Sequence, residues 1–422
     1  MASIRERDQD ASLSLFLLLD PEVLADPYPL FKRIRTTDPV HWDVYLHSWV
    51  VTRYEDVVEV LRKFSAARTQ TPEQLSAMGL AEMSPVAAVL VKQMLFLDAP
   101  AHTRIRSLAS AAFMPAQVAS LRGRIEQIAD DLLDRIREKG EMDVIADFAN
   151  RLPAIITAAM LGVPEEDHEQ LKIWSESFAE ILGNFQNNPD RIGAIVRTVE
   201  HMTTYFRERI REQKRSPREG LVHSLLTAEV DGDRLTEEEV IANCIITMVG
   251  GQETTTNLIG NGLLLLLRNP SELERLQRDP GLLPSAVEEL LRYEPPTQHT
   301  ARLAPYDLEM RGKSIKRGEG VIAVVAAANR DPERFPDPDR LDLARADNRH
   351  LSFGWASHFC FGAPLARIEG QVAFDRLIRL PNLRLKPVRL AWRTNLALRG
   401  LTAVPVEFDP QPPNRRASDG VV

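Results

Sequence analysis

Apolar residues recur along most of this chain at the three- and four-residue spacing of helices, and only a few short runs have the makings of strands. The turn signal Asp26-Pro27-Tyr28-Pro29 leads into Leu30-Phe31-Lys32-Arg33-Ile34-Arg35, which predicts a helix. Trp49-Val50-Val51-Thr52 is β-rich, and Val57, Val58 and Leu61 within Tyr54 to Arg62 return to helical spacing, so a strand pair followed by a helix is expected. Residues 67–94, interrupted by Met, Ala and Pro, read as a long loop with a short helix, the kind of segment that often carries function. From about residue 118 to 225 the pattern is helical, broken at Gly140, Pro153, Gly162-Val163-Pro164, Asn187-Asn188-Pro189 and Ser216-Pro217. Thr236-Glu237-Glu238-Glu239 is a capping box opening a long helix that Asn269-Pro270 stops after Arg268. At ~1.5 Å per residue that helix spans about 50 Å.

Leu308 to Val325 predicts a hairpin turned at Arg311-Gly312-Lys313 and then a buried strand from Val321 to Val325, rich in β-branched residues; a last β-rich piece covers Leu401 to Phe408. Residues 1–19 are expected to be flexible, and 409–422, polar and Pro-rich, to be a disordered tail. No internal repeat or linker divides what lies between. The pattern therefore predicts one domain over residues 20–408, mainly α with a smaller β region, although 422 residues could hold more than one. Charge excludes one class of function: 52 Lys and Arg against 60 Asp and Glu leave a net −8, without the basic face of a nucleic-acid binder. Cys244 and Cys360 lie in unlike contexts and suggest no disulfide, which fits a reducing cytoplasm. The run Leu13 to Leu19 is short and contains Ser14, and nothing approaches the ~20 apolar residues of a membrane span, so no membrane anchor is expected.

Chemistry concentrates in Phe353-Gly354-Trp355-Ala356-Ser357-His358-Phe359-Cys360-Phe361-Gly362-Ala363-Pro364-Leu365-Ala366-Arg367. Cys360 ends a glycine-punctuated loop and precedes Leu365, Ile368 and Val372 at helical spacing, with Pro364 suited to a first turn. Unpaired N–H groups and the helix dipole lower a thiol's pKa there, so Cys360 is expected as a thiolate, the form that binds metals. A lone cysteine, by contrast, is more often buried and inert. On the long helix Gly250 and Gly251 each cost about 1 kcal/mol relative to Ala, and Glu253 with three threonines follows, which a helix tolerates only with a compensating reason. His102 and Arg106, four apart, share a helix face, as do Glu289 and Arg292, three apart. Taken alone, the first is a solvated surface pair and the second an ion pair. Ile173, Trp174, Phe178, Ile181, Leu182 and Phe185 form an apolar stripe, which by itself means core packing.

Together these stretches resemble the cytochromes P450. The loop matches the family's haem-binding pattern F-G-x-x-x-H-x-C-x-G-x-x-L-A-R. Gly250-Gly251-Gln252-Glu253-Thr254-Thr255 matches its A/G-G-x-D/E-T-T segment and Glu289-Leu290-Leu291-Arg292 its E-x-x-R. The resemblance implies the cytochrome P450 fold, with haem b (iron protoporphyrin IX) between the long helix and the loop, and Cys360 as the iron ligand. His102, Arg106, Arg302 and His358 would donate to the propionates, Phe353 and Gly362 would contact the haem, and Gly250 and Gly251 would leave room for dioxygen. Thr254 would hydrogen-bond the oxygen and Glu253 would conduct protons; a structural alternative has the Thr254 hydroxyl bonding back one turn. Glu289 and Arg292 would lock the core with Arg340 of Pro338-Asp339-Arg340, and the stripe near Trp174 would form a lid.

The implied activity is insertion of one oxygen atom from O2 into a C–H or C=C bond of a hydrophobic small molecule: a polyketide, terpenoid, steroid or fatty acid. Electrons would come from a ferredoxin and its reductase, docking near Arg104, Arg349 and Arg376. Met78, Leu80, Met83, Val86, Leu90 and Leu396 to Leu398 would face the substrate, with Gln298 and His299 able to orient a hydroxyl or carbonyl. A non-catalytic haem-thiolate sensor or recruitment protein is the alternative, and the presence of both Glu253 and Thr254 speaks against it.

Overall fold

The computed structural model describes residues 10–110, 115–183, 189–230 and 232–412. At its centre runs the helix Glu237–Arg268, started as the sequence predicts. The Thr236 hydroxyl accepts from the Glu239 amide at 3.3 Å while the Glu239 carboxylate accepts from the Thr236 amide at 2.8 Å, which satisfies two otherwise orphan donors. Asn269 caps the far end and Pro270 opens a new helix, Pro270–Arg278. From Val240 to Leu266 most faces are buried, so the helix passes through the core instead of lying on it. Gly262 permits this: a Cβ there would collide with Phe374 of the helix Ala363–Leu377.

Packed around it are Arg151–Leu161, His168–Gly183, Pro189–Arg215, Leu283–Tyr293 and Ala363–Leu377. Pro153 does not break the first of these; it sits in the opening turn, where a missing N–H deprives the helix of nothing. Residues 67–94 are more ordered than their pattern suggests, with helices at Pro72–Ala77 and Ser84–Leu90. The stretch Val144–Leu161 is long and apolar enough to cross a membrane, although it carries Asp147 and Arg151, and it lies mostly inside the core.

The main sheet has the order Val40–Asp43, Ser48–Val51, Gly320–Ala323, Thr300–Leu303, with the middle pair parallel and the outer pairs antiparallel. Its register sets Arg302 opposite Val321. The expected strand from Val321 ends at Ala323, and Val325 already begins the short helix Val325–Ala328. Leu308–Met310 and Lys313–Ile315 form the expected hairpin, with Arg311 and Gly312 at positive φ. Pro405–Glu407 lies between Glu141–Asp143 and Arg384–Leu385 in a second, three-stranded sheet.

Both ends of the described chain make contacts with the domain. Within residues 10–19, Ala11–Leu13 and Leu15–Leu19 are single turns whose Leu13, Leu15 and Leu18 are buried, and the Ser14 hydroxyl donates to Asp43 at 2.9 Å. Burying three leucines stabilises these turns by several kcal/mol in area terms, about 2 each, which a polar leader could not supply. At the other end, the amides of Asp409 and Gln411 donate to the Pro381 and Arg137 carbonyls at 2.8 and 3.0 Å. Residues 1–9 and 413–422 lie outside the described residues.

Glu289 and Arg292 on Leu283–Tyr293 are paired without solvent, at 2.7 and 2.8 Å. Their third companion is Arg345, not Arg340 as the P-D-R triplet suggested: Arg345 Nε donates to Glu289 at 3.2 Å. Arg340 is exposed and contributes only its carbonyl, which accepts from Arg292 at 3.3 Å and from Arg345 at 3.1 Å. A tight turn closed by Arg340 N–H to Asp337 O turns that carbonyl inward.

Candidate active site

The Cys loop is shaped by its backbone. Cys360 N–H donates to Phe353 O at 2.6 Å, and Gly354 sits at φ 73°, where a Cβ would come within 3.3 Å of the His358 carbonyl, so glycine is required there. Gly362 has an ordinary φ and serves as the N-cap of Ala363–Leu377; a Cβ on it would meet nothing within 4 Å, because it borders open space. The Cys360 sulfur faces the same space and accepts from the amides of Gly362 and Ala363. The expected acidification is not the net result. Burial pushes the thiol up, against those amides and the charges of Arg106 and Arg367, so the thiolate is a form that a bound metal ion would have to enforce. Cys244, buried in the central helix, is pushed up further by burial alone and is chemically inert.

A cavity of about 420 Å³ separates this loop from the central helix, within the range of small-molecule sites. Gly250, Gly251 and Thr254 line it from the helix, Phe353, His358, Cys360 and Gly362 from the loop, and Arg106 and Arg302 from one end. The two helix glycines differ. A Cβ on Gly250 would meet nothing within 4 Å, whereas on Gly251 it would meet Thr157 Oγ1 at 3.0 Å. The first opens the cavity; the second lets the helix pack on Arg151–Leu161.

At the Arg106 end, basic groups crowd together. The His102 and His358 rings lie 4.1 Å apart, Arg106 donates to Phe359 O at 2.8 Å, and His102 Nε2 and Arg302 Nε are buried without a partner. Burial holds His358 down to about 4 and Arg302 to about 10, and lowers His102 and Arg106 as well. Buried donors left without an acceptor are unfavourable, and a dianion would relieve them. The donor set fits haem, whose two propionates His102, Arg106, Arg302 and His358 would hold and whose iron Cys360 would ligate.

Thr254 borders the cavity while its hydroxyl donates to Gly250 O at 2.6 Å, so the back-bonded arrangement and the cavity position coexist. Glu253 turns the other way: it is buried and accepts from Lys172 at 2.5 Å and Arg393 at 3.0 Å. Pattern reading missed Glu369, which lines the cavity from Ala363–Leu377 and has Oε1 buried without a partner. Burial, opposed by a hydrogen bond from Thr255, raises it to about 8, so it is a neutral acid at physiological pH. Because the folded state keeps a proton that the unfolded chain releases, stability falls as pH rises through that window and levels off above it. Glu369→Gln is therefore expected to gain on the parent protein by up to about 1.4 kcal/mol per pH unit between pH ~5 and ~8, read as the difference in unfolding midpoints.

Toward the substrate side, Ile181, Leu182, His299, Ala397 and Leu398 line the cavity as expected. Met78 and Leu80 instead face solvent, Val86, Leu90 and Leu396 are held in core clusters, and Trp174 packs on His201 and Tyr205. Gln298 is turned to the Pro295 carbonyl at 2.7 Å, and Phe185 lies outside the described residues. Met94, Leu95, Thr247 and Arg68 complete the wall, the last from a stretch with no periodicity to reveal it. Of the arginines expected to meet a redox partner, Arg104 is engaged by Asp233 and Glu239 and Arg376 by Asp130 and Asp375; Arg349 is exposed, 3.9 Å from Asp347.

A family model described as Cytochrome P450 matches residues 47–280 and 281–395. The chain is 39% identical over 391 residues to the biotin biosynthesis cytochrome P450 of Bacillus subtilis (strain 168), spanning 92% of this chain and 98% of that one. To the cytochrome P450 monooxygenase PikC of Streptomyces venezuelae it is 36% identical over 404 residues, spanning 92% and 93%. The crystal structure of P450BioI in complex with hexadec-9Z-enoic acid ligated acyl carrier protein superposes with a TM-score of 0.85 at 38% identity, over 92% of this chain and 100% of that chain. Sequence and fold agree over nearly the whole length, and the chain belongs to the cytochrome P450 family of haem-dependent monooxygenases.

Proposed function

We propose that this protein holds haem b through Cys360 and inserts one oxygen atom from O2 into a C–H or C=C bond of an apolar small molecule. The observation that carries this reading is one cavity with the Cys360 sulfur on one wall and Gly250 and Thr254 on the other. Haem, when bound, supplies the activation and splitting of dioxygen. The chain's own residues do the positioning. His102, Arg106, Arg302 and His358 hold the propionates through charge-assisted hydrogen bonds. Leu95, Ile181, Leu182, Val249 and Leu398 keep water from the reacting end of the substrate. Thr254 holds a proton on Oγ1 at the cavity face, and the Glu253 carboxylate, clamped by Lys172 and Arg393, takes protons from the protein side.

Electrons come from a separate ferredoxin and its reductase, since neither Cys244 nor Cys360 stands in a cysteine-rich cluster motif. With Arg104 and Arg376 engaged by acids, Arg349 is the remaining candidate contact for an acidic partner. Two free cysteines fit a cytoplasmic setting.

Reduction with dithionite followed by carbon monoxide tests the reading. A Soret band strongly red-shifted from that of histidine-ligated haem is expected, and its absence in protein shown to contain haem overturns thiolate ligation. Thr254→Ala is expected to keep haem and that band but to consume reductant and oxygen with a ~10²–10⁴-fold loss of product per electron, peroxide or water appearing instead. Undiminished coupling in this variant would remove Thr254 from its role.

A further inference from the structure

The cavity contains one charged side chain that the propionate donors leave unexplained. Arg68 lines it from the segment after the helix Tyr54–Lys63. Its guanidinium carbon stands 4.6 Å over the Phe96 ring, and Nη1 reaches only the Ala66 carbonyl at 3.3 Å, a long bond within its own turn. The other two arginines on the cavity have partners that Arg68 lacks: the Asp98 carboxylate acts on Arg302, and Arg106 donates to the Phe359 carbonyl at 2.8 Å. The one charge that acts on Arg68 is that of Arg302, which repels it, and burial together with that repulsion pulls its pKa down. Among the described residues, no carboxylate pairs with it.

An arginine keeps its proton in protein surroundings, and half-buried Arg68 has no counter-charge on the cavity wall, so an anion arriving from outside the chain would pair with it. Arginine and not lysine suits a planar carboxylate, and the Phe96 ring fixes the plane of the fork. The haem propionates are already met by two arginines and two histidines. Beside Arg68 the wall is apolar, with Leu61, Met94 and Leu95 on the same cavity. An anion that enters here therefore brings a hydrophobic body with it.

We propose that Arg68 binds the carboxylate of the substrate, so that the molecule oxidised is an amphipathic carboxylic acid whose apolar part extends along the cavity. The proposal rests on the haem-monooxygenase reading above. A carboxylate could reach Arg68 from the substrate or from the haem itself, and the test separates the two.

Haem-loaded protein is titrated with octanoic, dodecanoic and hexadecanoic acids and with their methyl esters, following the spin-state change of the Soret band. Haem per chain and the carbon monoxide band are recorded for the parent, Arg68→Gln and Arg68→Lys before any ligand is added. The parent is expected to bind at least one acid about ten- to a hundred-fold tighter than its ester, the scale of a charge-assisted hydrogen bond. Arg68→Gln should erase that preference with ester affinity and haem content unchanged, and Arg68→Lys should restore part of it. Equal affinity for acid and ester in the parent, or no saturable binding of any acid, overturns the proposal. So does an Arg68→Gln variant that loses haem while keeping the acid preference, which would make Arg68 a propionate donor. A parent holding haem but lacking the carbon monoxide band would overturn the monooxygenase reading and this proposal with it.

Discussion

Cys360→Ser is expected to abolish the red-shifted carbon monoxide band and product formation while leaving the secondary structure unchanged. The exchange swaps sulfur for oxygen with little change in shape, and the loop around it is held by backbone groups that the exchange does not touch. Cys360 N–H still reaches Phe353 O, Gly354 keeps its left-handed turn, and the helix Ala363–Leu377 still starts at Gly362. A serine hydroxyl stays neutral here, since even the more acidic thiol is pushed up by its surroundings. Cys244 cannot take its place, being wholly buried within the central helix. Far-ultraviolet dichroism, haem per chain and the carbon monoxide difference spectrum check each part. A parent-like band in the variant would mean that another residue ligates the iron.

Arg292→Ala is expected to be the most destabilising single substitution outside the cavity. Arg292 has no solvent exposure and donates to both oxygens of Glu289 and to the carbonyls of Asn329, Pro338 and Arg340. Truncating it leaves a buried carboxylate with only Arg345, Asn348 and the Asp342 amide, and leaves a void where a long side chain lay. Breaking a buried pair costs about 3–5 kcal/mol, a large share of the roughly 5–15 kcal/mol that holds a protein folded. The midpoint of denaturant unfolding measures this loss. Removing both members of the pair, in Glu289→Leu with Arg292→Met, should still cost stability, because Arg345 is then left with carbonyl partners alone. A loss under about 1 kcal/mol in the single variant would show that solvent reaches the pair and that its apparent burial does not govern its energy.

Much of the site was legible because its signals are local. The capping box at Thr236 and the stop at Asn269-Pro270 act within a few residues, so the long helix could be bounded from sequence and the structure keeps those bounds. The Cys loop is equally local, with glycine at the one position where a side chain would strike a carbonyl. What failed, failed where the deciding contact was distant in sequence. Arg340 and Arg345 are both arginines of one irregular segment, and only the turn at Asp337 decides which of them reaches Glu289. The surfaces that cover Leu13 to Leu18, around Phe31 and Val324, likewise lie elsewhere in the chain. Met78 and Leu80 promised a pocket by hydrophobicity alone and instead face solvent.

The sequence by itself determined that a cysteine stands at a helix start, that a long helix carries Gly250, Glu253 and Thr254, and that these match the cytochromes P450. Each is a statement about residues within a turn or two of one another. Only the tertiary structure decided that the sulfur and Thr254 face one cavity, that Glu253 is clamped by Lys172 and Arg393, and that Glu369 and Arg68 are polar groups enclosed in its wall. The cost of a charge depends on what surrounds it, and those surroundings come from segments far apart in the chain, so a pattern of neighbours in sequence carries no record of them.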